Sequence, residues 1–257
     1  MAEKLLEGKT IVVTGTARGV GHKMTESFAA QGANVFALAR TETEEHSSFC
    51  NKLSLQYGVE VIPVYFDMTD YDAMKEAASE IRTSGYPING LVNNAGISPN
   101  LALMQMTPIG TVRETMEVNF FSPYIFTKFM AKLMIKNKAG SIVSIASIRG
   151  IDSYAGDSAY AASKAALIMM TKCLAEEVGS YGIRANVICP GLTETNMITQ
   201  LHEENRNIEL EATPLKKFGQ VEDIANSATF LLSDLSSYIT GQTIRIDGGV
   251  TSMRKRF

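Results

Sequence analysis

The sequence is poor in the residues that build several common kinds of site. It has three cysteines, Cys50, Cys173 and Cys189, too few for a disulfide framework and without metal-ligand spacing, so no metal is expected. Its three histidines, His22, His46 and His202, stand away from the polar motifs described below, and there is no G-x-S-x-G elbow. Nucleophilic serine catalysis is therefore a poor reading. Only 7 prolines occur in 257 residues that are 45% hydrophobic and 20% charged, which excludes disordered, collagen-like and low-complexity chains. No run approaches the roughly 18 apolar residues that span a bilayer, so no membrane partner is expected. The net charge of -3 gives no basic field for nucleic acid or anionic lipid. The opening residues MAEKLLEGKT are too charged for a signal peptide, and the expected location is cytoplasmic.

What the chain does have is glycine, 20 residues of it, and a regular alternation of segments. Short continuous apolar runs read as strands at Thr10–Thr14, Asn34–Ala39, Val59–Phe66, Gly90–Asn93, Ser141–Ala146, Arg184–Ile188 and Thr243–Ile246. Runs without polar alternation are what a parallel sheet buried on both faces requires. Helix-period segments lie between them at Gly21–Gln31, Tyr71–Thr83, Val112–Lys136, Ala159–Ser180 and Val221–Leu232. The alternation predicts an α/β fold, a Rossmann-type doubly wound sheet of about seven parallel strands with helices on both faces. No linker, repeat or charge block interrupts it, so residues 1–257 are expected to form one domain. The expected loops are Ile97–Pro108, Ile148–Ser158 and Thr193–Pro214. The first and last exceed ordinary connector length, and segment 193–214 is a candidate cover over a substrate cleft, with an ordinary surface helix the equal alternative.

The first strand runs into Gly15-Thr16-Ala17-Arg18-Gly19-Val20-Gly21 and then a helix. Such a turn lets backbone N–H groups and a helix N-terminus face a pyrophosphate. The spacing is G-x-x-x-G-x-G, and its bland alternative is a tight βα turn. The second strand ends at Arg40-Thr41, 19 residues after Gly21. An acidic residue there would accept from a ribose 2′-hydroxyl; an arginine favours a 2′-phosphate. Arg18 adds a second cation, so the pattern favours NADP(H) over NAD(H).

The chain resembles the short-chain dehydrogenase/reductase family. The motifs that carry the resemblance are Thr14-Gly15-x-x-x-Gly19-x-Gly21, Asn93-Asn94-Ala95-Gly96, Asn119, Ser147, Tyr160-x-x-x-Lys164 and Pro190-Gly191, in order and at the family's spacings from Leu6 to Gly249. The resemblance implies an oxidoreductase that interconverts a ketone and a secondary alcohol by hydride transfer. Tyr160 is then the general acid/base, and Lys164, one helical turn on, should lower the phenol pKa from about 10. Ser147 would bond the substrate oxygen, and its spacing of 13 residues to Tyr160 favours it over Ser144. By resemblance, Asn119 supports a water relay and Lys164 also holds the nicotinamide ribose. Without the family, Asn119 reads as a locally bent helix position or a satisfied buried amide.

The same resemblance extends the cofactor contacts beyond Gly15, Thr16, Arg18, Gly19, Val20, Gly21, Arg40 and Thr41. It implies Asp67 and Met68 at the adenine, Asn94, Ala95 and Gly96 beside the adenosine ribose, and Pro190, Gly191, Thr193 and Thr195 beside the nicotinamide amide and phosphates, with Tyr160 and Lys164 joining them. It is closest to 3-oxoacyl-[acyl-carrier-protein] reductase-like members, so a thioester-tethered ketone is a candidate substrate. Two departures weaken that: Tyr181 stands where a basic residue is common, and the loop Arg149–Asp157 is polar and charged. The alternatives are an NADP-dependent alcohol, sugar or hydroxysteroid dehydrogenase and, outside catalysis, a dinucleotide-sensing regulatory protein. The resemblance implies a homotetramer, with the apolar helices 112–136 and 159–180 as contact surfaces.

Overall fold

The computed structural model describes residues 4–194, 207 and 210–250. Seven parallel strands form one sheet: β1 (Thr10–Thr14), β2 (Asn34–Ala39), β3 (Val61–Tyr65), β4 (Gly90–Asn93), β5 (Gly140–Ile145), β6 (Ile183–Pro190) and β7 (Thr243–Ile246). Their order is β3-β2-β1-β4-β5-β6-β7. The order reverses between β1 and β4, and a crevice opens outside the carboxyl ends of the strands at that point. β1 is buried at every position, as its unbroken apolar run requires.

The helices are α1 (Gly19–Ala30), α2 (Glu44–Tyr57), α3 (Tyr71–Thr83), α4 (Ile109–Met116), α5 (Ser122–Asn137), α6 (Ser158–Val178) and α7 (Val221–Leu232). One core lies on the α1/α7 side, with Met24, Phe28, Leu231 and Leu232 against Ile11, Val13 and Val35. The other lies on the α3/α5 side, with Met74, Ile81, Phe126 and Met130 against Val12, Phe36 and Leu91. Fully burying a side chain such as Phe28 or Phe126 contributes about 2–3 kcal/mol. The two faces of β1 thus alternate between two cores, and the doubly wound expectation holds.

Four elements differ from the sequence reading, the first being β3, which takes only Val61–Tyr65 of the expected Val59–Phe66. α2 was not foreseen: it buries only His46, Cys50 and Leu53, a stripe too thin to show an apolar period. Its ends are nonetheless marked, by the Thr43 side chain accepting from His46 N and by Gly58 at φ 68. The expected helix 112–136 starts earlier and is interrupted, with one turn of π-helix at Glu117–Phe121 joining α4 to α5. β6 is longer than expected and carries Cys189 and Pro190.

Candidate active site

The dinucleotide end is built by close packing of backbone. Gly15 stands at φ 73, and a Cβ there would sit 2.8 Å from Ala95 Cα. At Gly21 a Cβ would strike the Gly15 carbonyl, so neither position admits a side chain. The Thr14 hydroxyl accepts from Asn94 N and Ala95 N, both at 3.0 Å, and Asn94 Nδ2 donates to Thr14 O at 2.9 Å. These bonds lock the ends of β1 and β4 together at the switch point.

Three other helices carry side-chain caps, whereas α4, α5 and α6 do not. Thr43 caps α2, Asp70 caps α3, and a reciprocal Gln220/Asp223 pair caps α7. At α1, Arg18 occupies the N-cap with no side-chain cap bond, and no acid stands in the first turn. Its free N–H groups and its dipole are left for an external anion. At Gly19, φ 60, a Cβ would meet nothing within 4 Å. This cradle fits a dinucleotide pyrophosphate.

Arg18, Arg40 and Thr41 are exposed, and Val20 packs into the core behind the turn. Arg40 Nε lies 3.7 Å from Asp67 Oδ2, with both side chains open to solvent. Asp67 Oδ1 accepts from Thr69 N and Thr69 Oγ1, and these bonds, the backbone one first, hold its carboxyl below the usual range. Met68 is partly buried against the α3/α5 core.

The chemical end gathers on β5, α6 and the π turn. Ser147 follows β5 and caps a short 3-10 turn at Ile148–Gly150, accepting from Arg149 N at 3.1 Å. Ser144, by contrast, is fully buried and bonded to Thr171 Oγ1 at 2.8 Å, away from the crevice. Tyr160 and Lys164 share one face of α6, with Lys164 Nζ 5.8 Å from the Tyr160 ring centroid. Burial pushes the Tyr160 phenol up to about 12, opposed by its hydrogen bond to the Ser147 side chain. Burial pushes Lys164 down to about 8, and its ammonium donates to Ile145 O at 3.0 Å. The expected lowering of the Tyr160 pKa is thus corrected: in the free protein, desolvation disfavours the charged form of each group and raises the phenol.

Asn119 sits in the π turn, fully buried. Its Oδ1 accepts from Ile97 N at 2.8 Å, while Nδ2 donates to Ile97 O at 2.9 Å and Ser163 Oγ at 3.0 Å. The amide therefore ties the segment after β4 to α6. Gly96 lies between them, where a Cβ would stand 3.0 Å from Asn119 Oδ1 and 3.2 Å from Lys164 Nζ. Both readings of Asn119 left open by its residue type, a bent position and a satisfied amide, describe it.

At the end of β6, a Cβ on Gly191 would lie 2.7 Å from Asp247 Cβ, so Pro190-Gly191 can pack only flat against the turn after β7. Thr193 pairs with Gly219, and Glu194 N donates to Gly219 O at 2.8 Å, closing the base of the segment 193–214. Thr195 and most of that segment, with His202, lie outside the described residues. The loop 149–157 forms a charged rim near Tyr160: Arg149 stacks 3.4 Å over the Tyr154 ring, and Asp157 is buried 3.9 Å from Arg149. Burial raises the Asp157 carboxyl, and Arg149 offsets part of that.

Two neighbours were missed: His22, whose ring bonds the Thr16 backbone and stacks 3.6 Å from Phe49, and His46. His46 is not remote from the motifs: its ring lies 2.8 Å from the Thr16 hydroxyl in the glycine turn. Its helix position and burial were the missing information, because α2 itself shows so little periodicity.

A strand-turn-helix anion cradle, a buried lysine beneath a tyrosine and a serine at the end of the neighbouring strand define a dinucleotide-dependent oxidoreductase site. A family model described as Enoyl-(Acyl carrier protein) reductase matches residues 15–251, and the chain belongs to the short-chain dehydrogenase/reductase family. It is similar to the 3-oxoacyl-[acyl-carrier-protein] reductase FabG of Thermotoga maritima, 38% identical over 245 residues that cover 95% of this chain and 98% of that protein. It is also similar to L-xylulose reductase of Caenorhabditis elegans, 36% identical over 247 residues, 95% of this chain and 96% of the other. Among solved structures, a putative gluconate dehydrogenase from Agrobacterium tumefaciens superposes with a TM-score of 0.92 at 30% identity, covering 97% of this chain and 98% of the other. The protein is an oxidoreductase of this family.

Proposed function

We propose that the protein is an NADP(H)-dependent ketone reductase whose general acid is Tyr160, with 3-oxoacyl thioesters as the leading substrate class. The observation that carries the reading is the pairing of Ser147 with the half-buried Tyr160 phenol above a fully enclosed Lys164. A bound nicotinamide supplies the hydride at the carbonyl carbon. The phenol, protonated throughout the neutral range, is the proton source for the carbonyl oxygen, and Ser147 bonds that oxygen as its charge grows. Lys164, cationic below about pH 8, favours the phenolate left behind. Asn119 keeps the lysine's surroundings in register through Ile97 and Ser163.

The residues that would hold the dinucleotide are Gly15, Thr16, Arg18, Gly19, Val20 and Gly21 at the pyrophosphate turn. Arg40 and Thr41 would meet a 2′-phosphate, and Asp67 and Met68 the adenine. Asn94, Ala95, Gly96, Pro190, Gly191, Thr193 and Thr195 complete the set with Tyr160 and Lys164. The charge supports NADP(H): Arg18 and Arg40 are both exposed at the cradle, and Asp67, the acidic partner of Arg40 among the described residues, is spaced at 3.7 Å. The whole chain is read as one domain, with the segment 193–214 covering the substrate, in a cytoplasmic homotetramer.

A second reading, a sugar or polyol oxidoreductase, is favoured by the rim of Arg149, Tyr154 and Asp157 and by the likeness to L-xylulose reductase. Dinucleotide oxidation measured over 3-oxoacyl thioesters, keto-sugars, ketosteroids and simple ketones, with NADPH and NADH in parallel, decides. The expected result is NADPH-dependent turnover with kcat/KM highest on 3-oxoacyl thioesters. Highest kcat/KM on keto-sugars would install the second reading, and preference for NADH would overturn the phosphate assignment.

A further inference from the structure

Beneath the glycine turn lies a chain of hydrogen bonds that the reaction does not use. Thr16 is fully buried, and its Oγ1 donates to Leu38 O at 3.1 Å. A hydroxyl has one proton, so the His46 Nε2 that stands 2.8 Å from the same oxygen must be the donor there. His46 Nδ1 is then an acceptor, and the Tyr65 hydroxyl at 3.1 Å donates to it. Tyr65 in turn accepts from Ser47 Oγ at 2.8 Å. Every proton in the run from Ser47 to Leu38 is assigned in one direction, and the assignment requires a neutral His46 of a single tautomer. Burial, together with the nearby His22, holds His46 below the usual imidazole range, which supplies that neutral ring at neutral pH. His46 is itself fixed in the first turn of α2, where its N–H donates to Thr43 Oγ1 at 3.2 Å.

We propose that His46 is a positioning residue for the dinucleotide: it holds Thr16 from behind, and so fixes the shape that the turn Gly15–Gly21 presents to the cofactor phosphates. Leu38 O also accepts from Gly15 N at 2.9 Å and Thr16 N at 3.0 Å, so the inner side of the turn hangs on a single carbonyl. Asn94 Nδ2 holds the outer side by donating to Gly15 O at 3.1 Å, and His46 adds a side-chain bond at Thr16 that ties the turn to α2. The turn then enters binding already ordered, which strengthens affinity without touching the chemical step. The inference rests on the reading of this turn as the dinucleotide site.

The test is a double-mutant cycle on dinucleotide affinity, measured by titration calorimetry in the absence of ketone, with His46→Phe, Thr16→Val and the double variant, alongside His46→Gln. His46→Phe is expected to weaken NADPH binding about five- to tenfold. KM for NADPH should rise by a similar factor while kcat stays within about twofold of wild type. His46→Gln, which keeps an N–H donor, should recover most of the affinity. The double variant should bind no more weakly than the poorer single variant.

A folded His46→Phe protein with wild-type affinity, or losses that multiply in the double variant, would overturn the assignment. Should His46→Phe fail to fold, Thr16→Val carries the test: unchanged affinity there contradicts the clamp, and a loss confined to KM supports it. The cofactor reading fails separately. Wild type that prefers NADH refutes the phosphate assignment and leaves the clamp to be read with NADH, whereas wild type that binds neither dinucleotide refutes both.

Discussion

Two ionisable side chains on one turn of α6 divide the work by being buried differently from water-exposed ones. The phenol of Tyr160 is pushed up to about 12 and the ammonium of Lys164 down to about 8, each chiefly by desolvation. At neutral pH the pair is therefore phenol and ammonium, the form that reduction needs. Raising the pH removes the Lys164 charge first, because its folded-state value is the lower of the two. The expected profile of kcat/KM for ketone reduction is flat through neutrality and falls above about pH 8; a profile that stays flat to pH 10 contradicts the role given to Lys164. At this scale the sequence was informative about identity and poor about environment. Tyr160, Lys164 and Ser147 were legible from the family resemblance that the ordered motifs carry, and the choice of Ser147 over Ser144 is explained by the bond of Ser144 to Thr171. The direction of the tyrosine shift was not legible, because burial depends on neighbours that spacing does not reveal.

Between residues and the sheet stand the elements that aim them. The π turn Glu117–Phe121 swings Asn119 inward, where its amide binds both backbone groups of Ile97. π turns inside α-helices are often retained at functional positions. Asn119→Ala leaves the partly buried N–H and carbonyl of Ile97 and the buried Ser163 hydroxyl each short of a partner, at a cost of about 2 kcal/mol. Thermal unfolding should show a lower Tm by several degrees, together with reduced turnover; an unchanged Tm would mean that the amide does not hold the segment after β4. The periodicity of residues 112–136 foretold helix but not its extra residue per turn, since one wide turn hardly disturbs an apolar stripe. α2 escaped detection because a helix that buries three side chains has no stripe to detect. Its consequence was the larger error, for it carries His46 to the back of the glycine turn.

The parallel sheet makes the site by collecting strand ends. β1, β4, β5 and β6 deliver Gly15, Asn94, Ser147 and Pro190 to one edge; the parallel sheet was legible from continuous apolar runs, whereas Asn94 and Pro190 were placed by the family resemblance. The outer surface is less self-sufficient. Met104, Met106, Phe121, Tyr124 and Met169 are all substantially exposed, several of them on or beside the helices named for subunit contact. The tetramer reading expects light scattering to return four chains at micromolar concentration; a monomer would leave those side chains without the cover assigned to them.

The central claim is that Tyr160 moves the proton while other residues hold the dinucleotide. Tyr160→Phe keeps the ring and removes one oxygen, so the decisive measurement is turnover of this variant beside its NADPH affinity. The account predicts a fall in kcat of about 100-fold or more with affinity within about threefold of wild type, since the phenol is one contact among many. Retained turnover at wild-type affinity would contradict it.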